Sequence, residues 1–494
     1  MADVGVLFEA IELVFSWPAI GWLVVGILFG TILGVIPGLG PGLGMAIVLP
    51  FTLLLDGFAA VVLLMAIYLG TTYGGCVTAI LINTPGTAQA AATCLDGYPM
   101  SRQGKAKEAL VISAASSSIG GIIAGLGILA LTPVLVTIVL LFGSPEYFLV
   151  ALLGISLIAI VSRGEMVKGL TAGAFGLLLS TIGYPVASGQ PRFTFGSFML
   201  YDGISFIAVL IGLFAIGEMI KLSAETGGIA ESDFEIEGPI LPGLRTVLNN
   251  PITQLKSGVI GGLVGAVPGA GASISNFVSY AEAVRSDSGD VPYGDGNPKG
   301  VMASEGANNA TVFGALVPTL SFGIPGSGST AILLGGLLMH GIRPGPQLFE
   351  TELQFTQGLV IALMVGCVVI GFIGVFLVSK LAAFTKIDTN YIIPIIVVLA
   401  LVGSLTFRNN FIDIFTVVLF GIIGFIMVKN NFSIVALVLG VVLGPIAEEN
   451  LIRSLQLSQG SLDIFVSEPL SIFLVLLIVV AILSPFIDQL MNKV

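Results

Sequence analysis

The sequence GVIPGLGPGLG, from Gly34 to Gly44, places Pro-Gly pairs inside a long apolar run. Proline removes a backbone hydrogen-bond donor and glycine lowers helix propensity, so this stretch predicts that a helix stops within it. Unpaired backbone groups are costly in hydrocarbon. Non-helical backbone is therefore tolerated at membrane depth only where protein buries it or where it lines a polar cavity.

The same pattern recurs three more times, as NTPGTA (Asn83–Ala88), GAVPGAGAS (Gly265–Ser273) and GIPGSGST (Gly323–Thr330). We number these stretches breaks 1 to 4 in chain order. Two breaks fall in each half of the chain, in the same order, and Pro85 of break 2 corresponds to Pro325 of break 4. Glycine is common in membrane helices and some recurrence arises by chance. The repeated order nevertheless favours two duplicated halves over a short-period solenoid.

Composition predicts an integral membrane protein. Of 494 residues, 55% are hydrophobic and 10% are charged, and the mean hydropathy is +1.06. Apolar runs reach about 20 residues, the length that spans a bilayer. The 65 glycines predict close helix packing. A net charge of −11 argues against a nucleic-acid partner.

Chemistry-bearing motifs of soluble enzymes are absent from the sequence. Cys76, Cys94 and Cys367 have no paired or metal-binding spacing, and His340 is the single histidine. GLGPGLG is not a nucleotide-binding fingerprint, and no GxxxxGK[ST], GxSxG or HExxH occurs. We therefore expect no cofactor and no enzymatic activity. The N-terminus has no basic region and no small-residue cleavage site, so no cleaved signal peptide is expected.

The chain order predicts an all-α polytopic membrane protein of about 12 membrane segments, with broken helices and re-entrant hairpins. The first membrane half is expected at residues 1–222 and the second at residues 256–494. A polar, acidic and proline-bearing stretch, 223–255, is predicted to be a cytoplasmic linker between them.

Basic residues predict the orientation. Threading the spans puts most lysines and arginines, including Arg102, Lys105 and Lys107, on one side, which is then cytoplasmic. Arg343 falls on the opposite side. After its two breaks, the first half then reaches the cytoplasmic side, whereas the second half reaches the opposite side after its two breaks. The two repeats are therefore predicted to be inverted, as in many secondary transporters.

The breaks are the predicted ligand site. A helix is expected to start directly after Pro85 and another after Pro325, and the substrate is expected between Asn83–Thr87 and Ser327–Thr330. A helix that restarts at membrane depth presents free N–H groups and a partial positive charge, which suit carboxylates. Carbonyls at helix ends suit Na⁺, and we expect them near Gly34, Ile82, Gly265 and Gly323. The candidate substrate-binding residues are Gly38, Gly40, Asn83, Thr84, Pro85, Gly86, Thr87, Gly269, Gly271, Ser273, Ser275, Asn276, Asn308, Asn309, Pro325, Gly326, Ser327, Ser329 and Thr330.

Several of these residues also have a purely structural interpretation. Hydroxyls at a helix start can simply cap it, and the amides of Asn308 and Asn309 can bond across helices. A carboxylate is costly in lipid, so Glu305 is expected to face protein or water if it is buried, or to lie at the membrane interface, which is the favoured placement. His340 and Arg343 are expected in interfacial loops.

Four blocks of the sequence resemble the large membrane subunit of tripartite tricarboxylate transporters. They are GVIPGLGPGLGMAIVLPFT, YGGCVTAILINTPGTAQAAATCLDGYPM, NPKGVMASEGANNA and FGIPGSGSTAILLGGLLMHGIRPGP, and the resemblance extends over nearly the whole chain. It implies uptake of citrate or a related carboxylate across the bacterial inner membrane, driven by a Na⁺ or proton gradient. It also implies two partners, a small membrane subunit of about four spans and a periplasmic solute-binding protein.

Two other functions remain open at the level of the sequence. A stand-alone cation–carboxylate symporter of two-repeat design would work without the binding protein. A membrane-embedded enzyme would need a nucleophile, an acid–base pair or a metal site, and none is evident.

Overall fold

The computed structural model describes residues 4–161, 166–185, 190–224, 236, 238–269, 271–287, 291–377, 380 and 389–491. Within these residues the regular structure is helical, and the only β feature is an isolated bridge between Gly183 and Arg192. The expected all-α architecture is confirmed.

The first half contains ten α-helices. They are α1 (Val4–Phe15), α2 (Ala19–Val35), α3 (Pro41–Val48), α4 (Gly57–Ile82), α5 (Cys94–Met100), α6 (Ala106–Leu140), α7 (Ser144–Val161), α8 (Met166–Ser180), α9 (Phe206–Ile211) and α10 (Gly217–Ala224). A π-helical stretch, Gly212–Ile216, joins α9 to α10. A 3₁₀ turn, Gln89–Ala91, precedes α5.

The remaining α-helices follow residue 238. They are α11 (Leu241–Asn249), α12 (Pro251–Gly265), α13 (Gly271–Ser286), α14 (Pro298–Phe322), α15 (Gly328–Met339), α16 (Pro346–Glu350), α17 (Leu353–Phe372), α18 (Thr389–Arg408), α19 (Phe411–Lys429), α20 (Ile434–Leu457) and α21 (Pro469–Met491). Helix α11 lies inside the stretch predicted to be a linker and packs against α6, where Gly243 faces Val111. Residues 225–235 and 237 of that stretch lie outside the described residues.

Among the described residues, six helices are long and apolar enough to cross a membrane, or seven if the bent pair α1 and α2 forms one span. Six further helical segments contribute apolar stretches of 10–17 residues. Helix α4 is enclosed by protein, because its most apolar window is 100% buried. These features make the chain a multi-pass membrane protein. The expected count of about 12 segments is reached only if shorter helices enter the membrane part-way or cross a locally thinned bilayer.

Glycines bring α2 and α4 into backbone contact. A Cβ added at Gly70 of α4 would lie 2.5 Å from the carbonyl oxygen of Ile27 on α2, and one at Gly26 of α2 would lie 2.6 Å from Cβ of Ala66. Gly34 likewise rests on the carbonyl of Thr71. Because small residues let helices approach closely, these glycine contacts hold break 1 against α4.

Helices α12 and α14 repeat this arrangement in the second half. A Cβ at Gly261 would lie 2.5 Å from the carbonyl oxygen of Ala307, and one at Gly265 would lie 2.6 Å from that of Thr311. Each half therefore packs the helix that leads into its first break against the helix that leads into its second. This shared pairing supports the predicted duplication.

Candidate functional site

Breaks 1 and 2 lie against each other. The N–H of Gly86 donates to the carbonyl of Gly75 at 3.1 Å, so the chain after Asn83 folds back along the last turns of α4. A Cβ on Gly86 would lie 2.5 Å from the carbonyl oxygen of Gly34 and 2.7 Å from Cα of Gly75. Gly86 is therefore held between the end of α2 and the end of α4.

Break 2 ends a helix but does not immediately begin another. Asn83 caps α4 in the left-handed region, with φ of 55°, where asparagine is tolerated better than most residues. The expectation that a helix starts directly after Pro85 is wrong, because the N–H of Gly86 is already bonded to α4 and the next α-helix begins at Cys94. Thr87 Oγ1 instead accepts from the N–H of Ala90 at 3.4 Å.

The candidate residues of break 2 divide by exposure. Asn83, Thr84 and Pro85 are exposed, whereas Gly86 and Thr87 are buried. Residues 84 and 85 are therefore open to solvent or lipid rather than enclosed with the other breaks.

Breaks 3 and 4 also meet through their backbones. The N–H of Gly269, whose φ is +80°, donates to the carbonyl of Gly326 at 2.9 Å. Pro325 and Gly326 are buried, and Gly271 begins α13 with its N–H bonded to Val267. Ala270 and the side chain of Ser273 lie outside the described residues. This contact is the counterpart of the one between breaks 1 and 2.

Break 4 restarts as a capped helix. Ser327 Oγ accepts from the N–H of Thr330 at 3.2 Å, and Thr330 Oγ1 accepts from the N–H of Ser327 at 2.8 Å, which is a capping box. Ser327 Oγ also lies 3.4 Å from the hydroxyl of Tyr68 on α4. Ser329 is buried beside them. The hydroxyls of Ser327 and Thr330 thus perform the structural role considered for them. The capping box uses the N–H of Thr330 and leaves those of Gly328 and Ser329 at the start of α15.

The helix starts after breaks 1 and 4 converge on one aromatic ring. A Cβ on Gly42, in the first turn of α3, would lie 3.2 Å from Cδ1 of Phe214, and one on Gly328, at the start of α15, would lie 2.9 Å from Cε1 of the same ring. Gly40 precedes α3 in extended backbone with nothing within 4 Å of its added Cβ, and Gly38 has a φ of +86°. The start of α15 is therefore paired with break 1, not with its sequence counterpart in break 2.

The helix after break 3 meets the segment after break 2. Helix α13 packs against the 3₁₀ turn Gln89–Ala91. Ser275 and Asn276 of α13 are fully buried. Ser275 Oγ lies 2.5 Å from the hydroxyl of Thr311, and Asn276 donates to Asn308 Oδ1 at 3.3 Å. The breaks thus cross over between the halves, 1 with 4 and 2 with 3.

Glu305 is enclosed by protein within this second pairing, which is the less favoured of its two predicted placements. It is 0% exposed. Its carboxylate contacts Cys76 Sγ at 2.7 Å, Ser113 Oγ at 3.2 Å and Asn308 Nδ2 at 3.3 Å, and it also accepts from Thr93. The interface was expected because a lone carboxylate is costly in lipid. Here four polar side chains replace the water that it would otherwise need.

Asn309 points away from the breaks, although it adjoins Asn308. It is 0% exposed. It lies beside Cys367 of α17 and Gly121 of α6, where an added Cβ on Gly121 would be 3.3 Å from Cβ of Asn309. Successive residues on a helix point about 100° apart. Asn308 accordingly faces Glu305, whereas Asn309 faces α6 and α17.

Sequence reasoning missed most of the partners of Glu305. Thr93, Cys76 and Ser113 come from three separate segments, and no spacing links them. Asp96 was also missed. It is buried and its Oδ1 accepts from the backbone N–H groups of Gly294, Gly296 and Asn297 at 2.7–2.9 Å. The polar loop between α13 and α14 is thereby fastened to α5; the acid in LDGYPM, among otherwise uncharged residues, was the available signal.

Two cavities lie near the ends of α15 and α20. One of about 440 Å³ extends from Gly323 to Arg343 and Arg453. The other, of about 380 Å³, contains Arg192 and Glu448, which form an ion pair. Arg343 is exposed, as expected of a loop residue. The first cavity also contains Glu449, which pairs with Arg453, so its net positive charge comes from Arg343. A cavity with this net charge at the rim of break 4 is suited to receive an anion.

Two titratable groups outside the spans have perturbed pKa values. Hydrogen bonds from Lys256 and Arg285 lower the pKa of Glu282 at the end of α13. Burial lowers the pKa of His340 at the end of α15, partly opposed by Asp56, and its Nε2 lies 3.2 Å from Thr52 Oγ1. In the described part of the chain, no three His, Cys, Asp or Glu side chains are grouped as metal ligands.

Broken helices that meet inside a polytopic helical protein, together with a buried polar network, define a membrane transporter. The family described as tripartite tricarboxylate transporter TctA matches residues 20–439. The chain belongs to this family, which consists of transporter components and not of enzymes. Membership of a tripartite family implies partner subunits.

Two relatives come from Agrobacterium vitis. The chain is 33% identical over 486 residues to an uncharacterized 52.8 kDa protein in the TAR-I ttuC' 3' region, covering 96% of this chain and 95% of the relative. It is 28% identical over 233 residues to an uncharacterized protein in the TAR-II ttuC' 3' region, covering 47% of this chain and 96% of that relative. No solved structure matches the chain significantly.

Proposed function

We propose that this protein is the large membrane subunit of a secondary transporter that imports citrate or a related di- or tricarboxylate into a bacterium. The observation that carries the proposal is the meeting of four helix breaks in crossed pairs. Discontinuous helices at the interface of two repeats are the usual construction of a substrate site in secondary transporters.

The first turns of α3 and α15 are proposed to bind the carboxylate. Gly42 and Gly328 both lie against the ring of Phe214, so the two helix starts are close to each other. Each helix start contributes roughly 0.3–1 kcal/mol toward an anion at a surface and up to about 2 kcal/mol when partly buried. Two such starts hold an anion without a buried lysine or arginine, and they hold it weakly enough to release it.

The two halves are proposed to be inverted with respect to each other. The matching glycine contacts of α2 with α4 and of α12 with α14 support duplication. The distribution of basic residues supports opposite orientations, with the Arg102–Lys107 loop in the cytoplasm and the Arg343 loop in the periplasm. The cavity that contains Arg343 and Arg453 then opens toward the periplasm of an inner-membrane protein.

The proposed partners are a small membrane subunit of about four spans and a periplasmic solute-binding protein. A binding protein that docks on the periplasmic face would release an anion close to the cationic cavity beside Gly323. The coupling ion is proposed to be Na⁺ or a proton. Carbonyls near Gly34, Ile82, Gly265 and Gly323 stay candidates for Na⁺.

Uptake by proteoliposomes tests this function. Purified complex should accumulate labelled citrate, malate or succinate under an imposed Na⁺ or proton gradient, and added ATP should have no effect. Gly86→Leu and Gly326→Leu should abolish uptake, because both glycines are buried where breaks meet. Gly127→Leu is the matched control, since Gly127 is exposed and its added Cβ meets nothing within 4 Å.

The same assay separates the alternatives. Uptake that persists without the binding protein would identify a stand-alone symporter. Uptake that requires ATP hydrolysis, or that ignores every ion gradient, would refute a secondary mechanism.

A further inference from the structure

Glu305 combines full burial with contacts to several elements. Its carboxylate meets Cys76 of α4, Ser113 of α6, Thr93 of the segment after break 2, and Asn308 on its own helix. The other titratable groups that face it are Tyr73, Cys76 and Cys94. Among the described residues, no lysine, arginine or histidine is bonded to it. An acid in such a place is costly as an unpaired ion and is a functional candidate by default.

The neighbours of Glu305 favour a proton over Na⁺ as the ion that balances this charge. Asn308 Nδ2 lies 3.2 Å from the carbonyl oxygen of Thr72. Because a carbonyl oxygen can only accept a hydrogen bond, the side-chain amide of Asn308 turns its nitrogen, not its oxygen, toward Thr72 and Glu305. The carboxylate oxygen Oε2 is therefore next to an NH₂ group, a thiol and the hydroxyl of Ser113, and each of these can donate a hydrogen bond to it. Na⁺ is a hard cation that prefers several oxygen ligands, and the hydroxyl of Ser113 is the one oxygen among these three neighbours.

The contacts of Glu305 lead directly to two breaks. Thr93, which bonds to Glu305, also lies 3.1 Å from Ser304 Oγ and follows break 2. Asn308, another of the four neighbours of Glu305, accepts a hydrogen bond through Oδ1 from Asn276 on the helix after break 3. Binding a proton turns one carboxylate oxygen from an acceptor into a donor, so a hydroxyl or thiol that donates to it must rotate or withdraw. The hydroxyl of Thr93 can rotate toward Ser304.

We infer that Glu305 is the proton-coupling residue of the transporter, binding one proton on one side of the membrane and releasing it on the other. The inference rests on the proposed function, because coupling has meaning only if the protein transports a carboxylate. Protonation of Glu305 would change the bonding of the segments after breaks 2 and 3 together. This provides the differential interaction that a ligand-driven conformational change requires.

The decisive variant is Glu305→Gln, which keeps the shape but cannot carry a proton. Wild-type complex in proteoliposomes should exchange labelled citrate, malate or succinate at equal pH. It should also accumulate the substrate when the outside is made acidic. A gradient of about one pH unit corresponds to about 1.4 kcal/mol and supports roughly tenfold accumulation per proton carried. Glu305→Gln should retain exchange and lose this accumulation. Glu468→Gln, the same change at an exposed residue that precedes α21, should retain both.

The outcomes are distinguishable. A wild-type complex that neither exchanges nor accumulates any tested carboxylate refutes the proposed function itself. Wild-type accumulation driven by a Na⁺ gradient but not by a pH gradient leaves that function standing and overturns the role of Glu305. Accumulation by Glu305→Gln equal to wild type also overturns it, as does loss of exchange in a correctly inserted variant.

Glu305→Asp covers the case in which Glu305→Gln does not insert. The shorter side chain keeps a carboxyl group but moves it away from its present neighbours. It should retain accumulation driven by a pH gradient, with a displaced pH profile of uptake. An unchanged pH profile would contradict the inference.

Discussion

Gly86→Ala is the sharpest test of how tightly breaks 1 and 2 are joined. The new Cβ would lie 2.5 Å from the carbonyl oxygen of Gly34, whereas ordinary contact begins near 3.4 Å, so the gap must widen by about 0.9 Å. The obstructing atoms are backbone of α2 and α4, which glycine contacts along their length hold together. Neither helix can yield without disturbing the other.

The expected size of the effect follows from overpacking. Inserting a methyl group into a filled site costs about 1–3 kcal/mol. If break 2 must be seated for the protein to bind substrate, this cost lowers the population of the competent state by roughly 5–150-fold. At unchanged substrate concentration, the initial uptake rate should decrease by roughly the same 5–150-fold.

The assay is initial-rate uptake in proteoliposomes, normalised to inserted protein. Gly127→Ala is the control, because its Cβ meets nothing within 4 Å. Gly326→Ala should be milder than Gly86→Ala, since its nearest atoms lie at 3.1–3.3 Å, all in Ala315. Wild-type uptake and wild-type thermal stability of Gly86→Ala would refute the close contact between breaks 1 and 2.

Three further predictions concern orientation, loop anchoring and pH. With the native cysteines removed, an impermeant thiol reagent applied outside should label Gln347→Cys but not Ser101→Cys; the reverse pattern would refute the proposed topology. Asp96→Ala leaves three loop N–H groups without their acceptor, each at a cost of about 1–3 kcal/mol if it stays buried. Amide exchange at residues 291–297 should therefore rise, while Asp96→Asn, which keeps the acceptor oxygen, should change it less. Burial lowers the pKa of His340, so the folded protein favours the neutral imidazole. The stability that this provides is complete above the pKa of the unfolded state, about 6.5, and declines as the pH falls through that value. The Tm should fall between about pH 7.5 and about pH 5.5, and His340→Gln should flatten this dependence; an equal slope in both proteins would contradict it.

The long helices were predictable because their signal is local. Apolar runs bounded by polar residues predict spans near 356–379, 391–405 and 411–428, and α17, α18 and α19 lie within a few residues of these limits. Pro-Gly pairs placed the ends of α2, α4, α12 and α14. Each of these predictions depends only on the helix propensity and the hydropathy of residues that are neighbours in the sequence.

The arrangement of the site was less predictable because it depends on contacts between distant segments. Matching Pro85 to Pro325 led to the expectation that breaks 2 and 4 face each other. The observed crossing depends on Phe214 and on the 3₁₀ turn after break 2, which carry no motif. The burial of Glu305 likewise required Cys76, Thr93 and Ser113 to come together in the fold.

The glycine contacts between α2 and α4, and between α12 and α14, restrict how the protein can move. Where backbone rests on backbone, sliding one helix along the other would push a larger side chain into a space that fits only hydrogen. Each pair must therefore travel as one rigid body, and relative motion is confined to the seams where the breaks meet. Spin labels on α2 and α4 should keep a fixed separation throughout the transport cycle, while labels on α4 and α14 should show two separations.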